Sequence, residues 1–192
     1  MKVGGDLVSR SELLRSLHVP GEPLVLPNAW DVSSAKAVVA AGFPVVATTS
    51  GGVAAVLGYE DHEGAPGAEM LAAAARIAGA VEVPVTADAE AGYGMQPDDL
   101  VAALKDAGAA GCNLEDTDHS TGQLRDLDEH SNWLRRVREA DDYGLVVNAR
   151  IDVFLHADDP QGELVAPALE RAHAYFEAGA DCVYPILLSE PM

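Results

Sequence analysis

Apolar residues in this chain gather in short runs that turn polar at their C-terminal ends, and between the runs they recur at helical spacing. PVVATTSGG (44–52), PVTADAE (84–90), GCNLEDT (111–117) and LVVNARID (145–152) are the clearest runs, each with the length and composition of a strand. LVLPNAW (24–30) and the stretch at 182–188 add a first and a last strand. A lead-in helix over 11–18, with Leu13, Leu14 and Leu17 at helical spacing, is expected to pack on the outside of the body. Asp31 reads as the N-cap of a helix that Gly42 stops. Further helices are expected over about 68–79, 97–108 and 128–142, and a last one follows the HADDPQG loop and ends at Gly179. Two longer loops remain, one with Gly58, Asp61 and His62, and a polar one at 118–127.

Strand and helix therefore alternate with a period of roughly thirty residues, the pattern of an all-parallel sheet covered by helices. A doubly wound sheet is the ordinary reading of such a pattern. Polar residues ending four consecutive strands favour a barrel instead, because a TIM-type (β/α)8 barrel converges its strand ends on one mouth. Six units are visible, whereas a complete barrel takes about 250 residues. The expectation is one α/β barrel domain spanning 1–192, cut short after the sixth strand or completed by a partner.

Alternation along a strand sends Asp88 and Glu90 the same way, and likewise Asn113, Glu115 and Thr117, and Asn148, Arg150 and Asp152. Two carboxylates at i, i+2 on a buried strand repel unless a cation lies between them. With Glu115 from the next strand, Asp88 and Glu90 suit a hard, partly hydrated ion such as Mg²⁺; the plain alternative is a solvated strand end or salt bridges. Arg150 reads as a clamp on a carboxylate or phosphonate, or else as a structural ion pair with Glu115 or Asp152. Ser50, Gly51 and Gly52 end the second strand with small residues whose amides could face an oxyanion. His62 and His119 lie in loops without metal-ligand spacing and are expected at the surface.

Composition narrows the partners. The net charge of −19 argues against nucleic acid and anionic membranes, yet not against a small anion beside a bound cation, which inverts the local field. Hydrophobic residues at 48% and charged residues at 22% are ordinary for a globular chain. The two cysteines, Cys112 and Cys182, have no metal or disulfide pattern and read as buried thiols. No apolar run is long enough to span a membrane and the N-terminus lacks signal-peptide features, so a soluble cytoplasmic protein is expected.

The ordered set TTSGG…GYED, TADAEAGYG, GCNLEDT, NARIDVF and EAGADCVYPI resembles the isocitrate lyase/phosphoenolpyruvate mutase superfamily from about residue 22 to 188. The resemblance implies a modified TIM barrel in a homo-oligomer, a dimer or tetramer, acting on a small 2-oxo or 2-hydroxy acid through an enolate. It implies Mg²⁺ held by Asp88, Glu90 and Glu115, partly through water. It places the substrate near Thr48, Ser50, Gly51, Gly52 and Asn148, with Arg150 holding the oxyacid and Asp61 near the metal. Carbon–carbon cleavage by a lyase or decarboxylase is the activity implied, with phosphonopyruvate-type P–C chemistry or a non-catalytic family member as alternatives. Superfamily lyases carry a cysteine acid in the loop after the fourth strand, and the mutase branch a lysine and asparagine. Here TDHSTGQLRD supplies none of these, Thr48 replaces a frequent aromatic, and Ile186 stands where a histidine or glutamate is common.

Overall fold

The computed structural model describes residues 6–155 and 161–189. Six parallel strands form one sheet: β1 (Asn28–Ala29), β2 (Val46–Thr48), β3 (Val85–Asp88), β4 (Gly111–Glu115), β7 (Val146–Ile151) and β8 (Cys182–Pro185). Each strand pairs only with its neighbour in chain order. That is the order of consecutive barrel staves, whereas a doubly wound sheet reverses direction at a switch point. Among the described residues no helix is long and apolar enough to cross a membrane.

The crossovers are helices α2 (Val32–Ala40), α4 (Gly67–Ala78), α5 (Pro97–Asp106), α6 (Leu127–Ala140) and α7 (Gln161–Glu177). Most of HADDPQG lies outside the described residues. Asp31 caps α2 as the sequence implies, its carboxylate accepting from the Ser34 amide at 2.6 Å while Ser34 returns the bond in a capping box. Central strands are buried on both faces by aliphatic side chains, with Leu100, Leu104, Leu114, Leu134, Leu145 and Ile151 almost wholly inaccessible.

Three expectations need correction. The second strand stops at Thr48, and Ser50 opens a short helix, α3 (Ser50–Leu57), where a loop was expected. Alanine and valine in SGGVAAVL bury against Ala65, Met70 and Ala73, and this packing outweighs the two glycines. The polar stretch 118–127 contains an antiparallel ribbon, β5 (Thr117–Asp118) with β6 (Gln123–Leu124). Helix α1 (Leu7–Leu17) is not on the outer wall; Leu14, 1% exposed, seats against Val45, Ala110 and Val146 and so floors the end where strands begin. Arg15 pins the helix there, donating to Asp181 at 2.9 Å and to the carbonyls of Gly144 and Leu145. Leu14→Ala is expected to cost about 2–5 kcal/mol in urea unfolding, the range for emptying a well-packed leucine site, without touching the opposite mouth.

Candidate active site

The polar ends of β2, β3, β4 and β7 meet at the other mouth. Register builds the site in rows: Asp88 lies beside Asn113 and Asn113 beside Asn148, and one row further along Glu115 lies beside Arg150. Asn148 donates to Asn113 Oδ1 at 2.8 Å, which orients both amides within the row.

The first half of the site is acidic. Asp88 Oδ2 accepts the Ser50 amide at the start of α3, 2.9 Å away, and the Asp88 amide donates to Thr48 Oγ1 at 2.8 Å. Thr48 and Ser50 thus hold Asp88, and the Ser50 amide is already engaged, leaving those of Gly51 and Gly52 at the helix N-terminus for an incoming oxyanion. A Cβ at Gly51 would stand 2.8 Å from Asp61 Oδ2, so a larger residue there would push the Asp61 side chain aside. Glu90 does not follow strand alternation: the strand ends at Asp88, and Glu90 has φ +49°, a left-handed conformation that turns its carboxylate back toward the site. Its Oε1 accepts the Glu63 amide at 2.6 Å, and Glu63 Oε1 in turn accepts the Tyr93 amide at 2.6 Å. His62, Glu63, Glu90 and Tyr93 all have positive φ, a concentration of backbone strain that such cross-linking sustains. Glu63 has no signal in the sequence pattern, since non-glycine left-handed residues carry no periodicity, and Tyr93 is marked only as part of TADAEAGYG.

Burial, and then the nearby charges of Asp88, Asp61 and Glu115, push the Glu90 carboxyl up to about 7. Among the described residues no lysine or arginine pairs with Asp61, Glu63, Asp88 or Glu90. Nor do three or more of the described acids, histidines and cysteines form a ready cage for a bare ion. An all-oxygen donor set with several oxygens already accepting amides fits a hard divalent cation that keeps most of its waters, as Mg²⁺ does. Asp88, Glu90 and Glu115 are the groups that would face it.

The second half is organised by Arg150. Its Nη1 pairs with Glu115 Oε2 at 2.5 Å, its Nε donates to Asp152 Oδ1 at 2.6 Å and its Nη2 to Asp152 Oδ2 at 3.2 Å. The ion pairs read as one alternative from sequence are therefore present, and an N–H on each terminal nitrogen has no partner among the described residues. A cavity of about 410 Å³ opens here, lined by His62, Thr117, His119, Gly122, Arg150, Asp152 and Leu155.

His119 is not the surface residue expected. Its side chain is 9% exposed and its Nε2 lies 2.5 Å from Glu115 Oε1. The ribbon brings it inward: Asp118 accepts the Ser120 amide at 2.9 Å through its side chain and the Gly122 amide at 2.7 Å through its carbonyl, closing a turn with Gly122 at φ +68°. An Asp followed four residues later by Gly was the available signal. His62 stays exposed, its ring 5.3 Å from that of His119. The hydrogen bond from His119 raises that imidazole's pKa, while burial raises the Glu115 carboxyl against the opposing pull of His119 and Arg150.

Comparison with known proteins bears on this arrangement. The family model described as phosphoenolpyruvate phosphomutase matches residues 14–192. The chain is 33% identical over 192 residues to the Corynebacterium glutamicum protein named probable 2-methylisocitrate lyase 2, covering 95% of this chain and 61% of that one. It superposes with TM-score 0.88 and 43% identity on a crystal structure from Burkholderia cenocepacia described provisionally as a phosphonomutase, covering 94% of this chain and 76% of that one. With TM-score 0.79 and 26% identity it also matches oxaloacetate acetylhydrolase in complex with the product oxalate, covering 92% and 63%. The chain spans 61 to 65% of the length of the curated relatives it matches first.

Proposed function

The chain belongs to the phosphoenolpyruvate phosphomutase family, and from that premise we propose that it serves a Mg²⁺-dependent enzyme that breaks a carbon–carbon bond in a small 2-oxo or 2-hydroxy acid through an enolate. The observation that carries this reading is the juxtaposition of uncompensated acids with a partly free arginine: among the described residues Asp61, Asp88 and Glu90 have no lysine or arginine partner, while Arg150 keeps donors on both terminal nitrogens. An Mg²⁺ ion held there would supply positive charge toward the carboxylate and 2-oxo oxygens of the substrate.

The remaining roles belong to the chain's own groups. Arg150 would bind the far carboxylate, oriented by Glu115 and Asp152. The Gly51 and Gly52 amides would donate to the carboxylate next to the reacting carbon. In a 2-hydroxy acid the hydroxyl would lose its proton to a carboxylate of the site and become the 2-oxo group. The C–C electron pair would pass to the departing fragment as the enolate of its carboxylate, which then takes a proton at carbon. In a 2-oxo acid such as oxaloacetate, carbon dioxide leaves and the pair stays on the oxo acid as its enolate until carbon is protonated. In the loop where the resemblance places a cysteine in lyases, His119 Nε2 shares a proton with Glu115 Oε1 beside the cavity. An imidazole rather than a thiol is thus the proton-bearing group offered here, which favours retro-aldol cleavage or decarboxylation without a cysteine acid. Asp152, Thr117 and Leu155 close one side of the cavity.

The reading is tested by following release of a 2-oxo acid product from 2-methylisocitrate, 2,3-dimethylmalate and oxaloacetate, with and without Mg²⁺. Turnover is expected with at least one of these, and only with the metal. Mg²⁺ should also raise the thermal unfolding midpoint, since a ligand of the folded state stabilises it, and Asp88→Asn should remove most of that shift. Absence of turnover together with an unmoved midpoint would refute the proposal. We further propose that the protein works as a homo-oligomer in the cytoplasm; light scattering on purified protein tests the assembly.

A further inference from the structure

One residue beyond Glu115, the buried Asp116 ties three elements together behind the site. Its Oδ1 accepts the Asp152 amide at 2.9 Å; its Oδ2 accepts the Tyr175 hydroxyl at 2.7 Å and Arg171 Nη1 at 3.0 Å. Arg171 Nη1 also reaches the Tyr175 oxygen at 2.9 Å, and its Nη2 donates to the Arg125 carbonyl at 2.9 Å. The Arg125 amide returns to the Asp116 carbonyl at 2.8 Å. Both Asp116 and Tyr175 are 0% exposed, and neither they nor Arg171 line the cavity, so none of the three touches a substrate.

What they touch is the support of Arg150. The backbone of Asp152 hangs on Asp116, and the Asp152 carboxylate takes the Nε and Nη2 of Arg150. A guanidinium clamps a carboxylate only when its plane is held within some tenths of an ångström and roughly 10–20°. Arg150 sits near the C-terminal end of β7 and carries its guanidinium on a long side chain, so its plane is set by the groups that grip it. We infer that Asp116, Tyr175 and Arg171 are positioning residues for the oxyanion clamp: helix α7 aims Arg150 through Asp116 and Asp152. This rests on the proposed function, and it assigns part of the specificity for an acid substrate to a helix with no residue of its own in the cavity among those described.

Oxalate, an enolate-shaped dianion, is the probe. Calorimetry measures its affinity in saturating Mg²⁺, and Mg²⁺ affinity alone, for wild type, Tyr175→Phe, Asp116→Asn, Arg150→Lys and the Tyr175→Phe/Arg150→Lys double variant. Tyr175→Phe removes one hydroxyl from a ring that stays packed and should weaken oxalate about tenfold, with Mg²⁺ affinity changed by less than about twofold. In the Arg150→Lys background the same substitution should leave oxalate affinity unchanged, because two residues acting through one contact are not additive. Asp116→Asn keeps the shape and should weaken oxalate at least as much. Should Tyr175→Phe lower only the unfolding midpoint, or exact the same oxalate penalty in both backgrounds, the positioning role is wrong and the network is merely structural. A wild-type protein that binds no oxalate overturns the functional proposal, and this inference with it; wild-type binding with a silent Tyr175→Phe overturns the inference alone.

Discussion

Arg150→Lys is expected to leave the fold nearly intact and lower turnover by two to three orders of magnitude, whereas Arg150→Ala should lose turnover and stability together. The two outcomes differ because Arg150 does two jobs. It neutralises Glu115, 2% exposed, and Asp152, 0% exposed, from distances of 2.5 and 2.6 Å. Removing one partner of a buried ion pair strands the other charge and costs about 3–5 kcal/mol. A lysine ammonium can return a charge to that space, so most of the structural loss is recovered. It cannot present a planar fork to two carboxylates and still offer paired N–H groups to a third oxyanion. Losing an oriented donor of that kind costs about 10²–10³ in rate. Urea unfolding and steady-state kinetics on both variants separate the roles. Full turnover in Arg150→Lys would mean that the guanidinium is only a structural counter-charge.

That ambiguity was already visible in the sequence. Period-two alternation in LVVNARID placed Asn148, Arg150 and Asp152 on one face, and parallel register set Glu115 beside Arg150, so the ion pairs and the clamp were both legible and the structure contains the pairs. Asn113 and Glu115 in β4, and Asn148 and Arg150 in β7, lie within regular strands, where period-two alternation puts each pair on one face. Strand alternation alone does not bring Glu90 to Asp88: the chain leaves the strand at Asp88, and a positive φ at Glu90 restores the proximity. The burial of His119 is not legible in the sequence, because its approach depends on a two-residue ribbon closed by Asp118 and Gly122, too short to show a periodicity. Asp116, Arg171 and Tyr175 were invisible as a group: a contact between residues 59 apart leaves no local pattern, and each alone looks like an ordinary helix or strand-end residue. Helix α1 was recognised as a helix but not as a floor, since the leucine spacing says which face is apolar and not what it meets.

The same rear network gives the protein an acid limb. His130 on α6 is 0% exposed, its ring stacked at 5.7 Å on Trp133 and edge-on at 5.2 Å to Tyr175, and neither ring nitrogen has a hydrogen-bond partner among the described residues. Burial, and then the positive charges of Arg125 and Arg171, depress its pKa to about 3. Unfolded, the ring titrates near 6.5. Below 6.5 the unfolded chain therefore binds a proton that the folded protein refuses, so the contribution is fully present above that pH and is lost as pH falls toward 3. The loss from this one group is on the order of 4 kcal/mol across the window. Buried acids nearby act in the opposite sense: burial raises the carboxyls of Asp116 and Glu115, so they favour folding as pH falls. The wild-type curve is the sum, and a variant is needed to isolate the histidine. His130→Leu should match wild type within about 1 kcal/mol at pH 7.5 and become progressively more stable than wild type from pH 6 to pH 4 in urea titrations. Parallel curves for the two proteins would show that the buried imidazole is not what limits stability in acid. His130 packs against the Tyr175 ring at the α6–α7 contact, so the imidazole that limits stability in acid lies beside the network that supports Arg150.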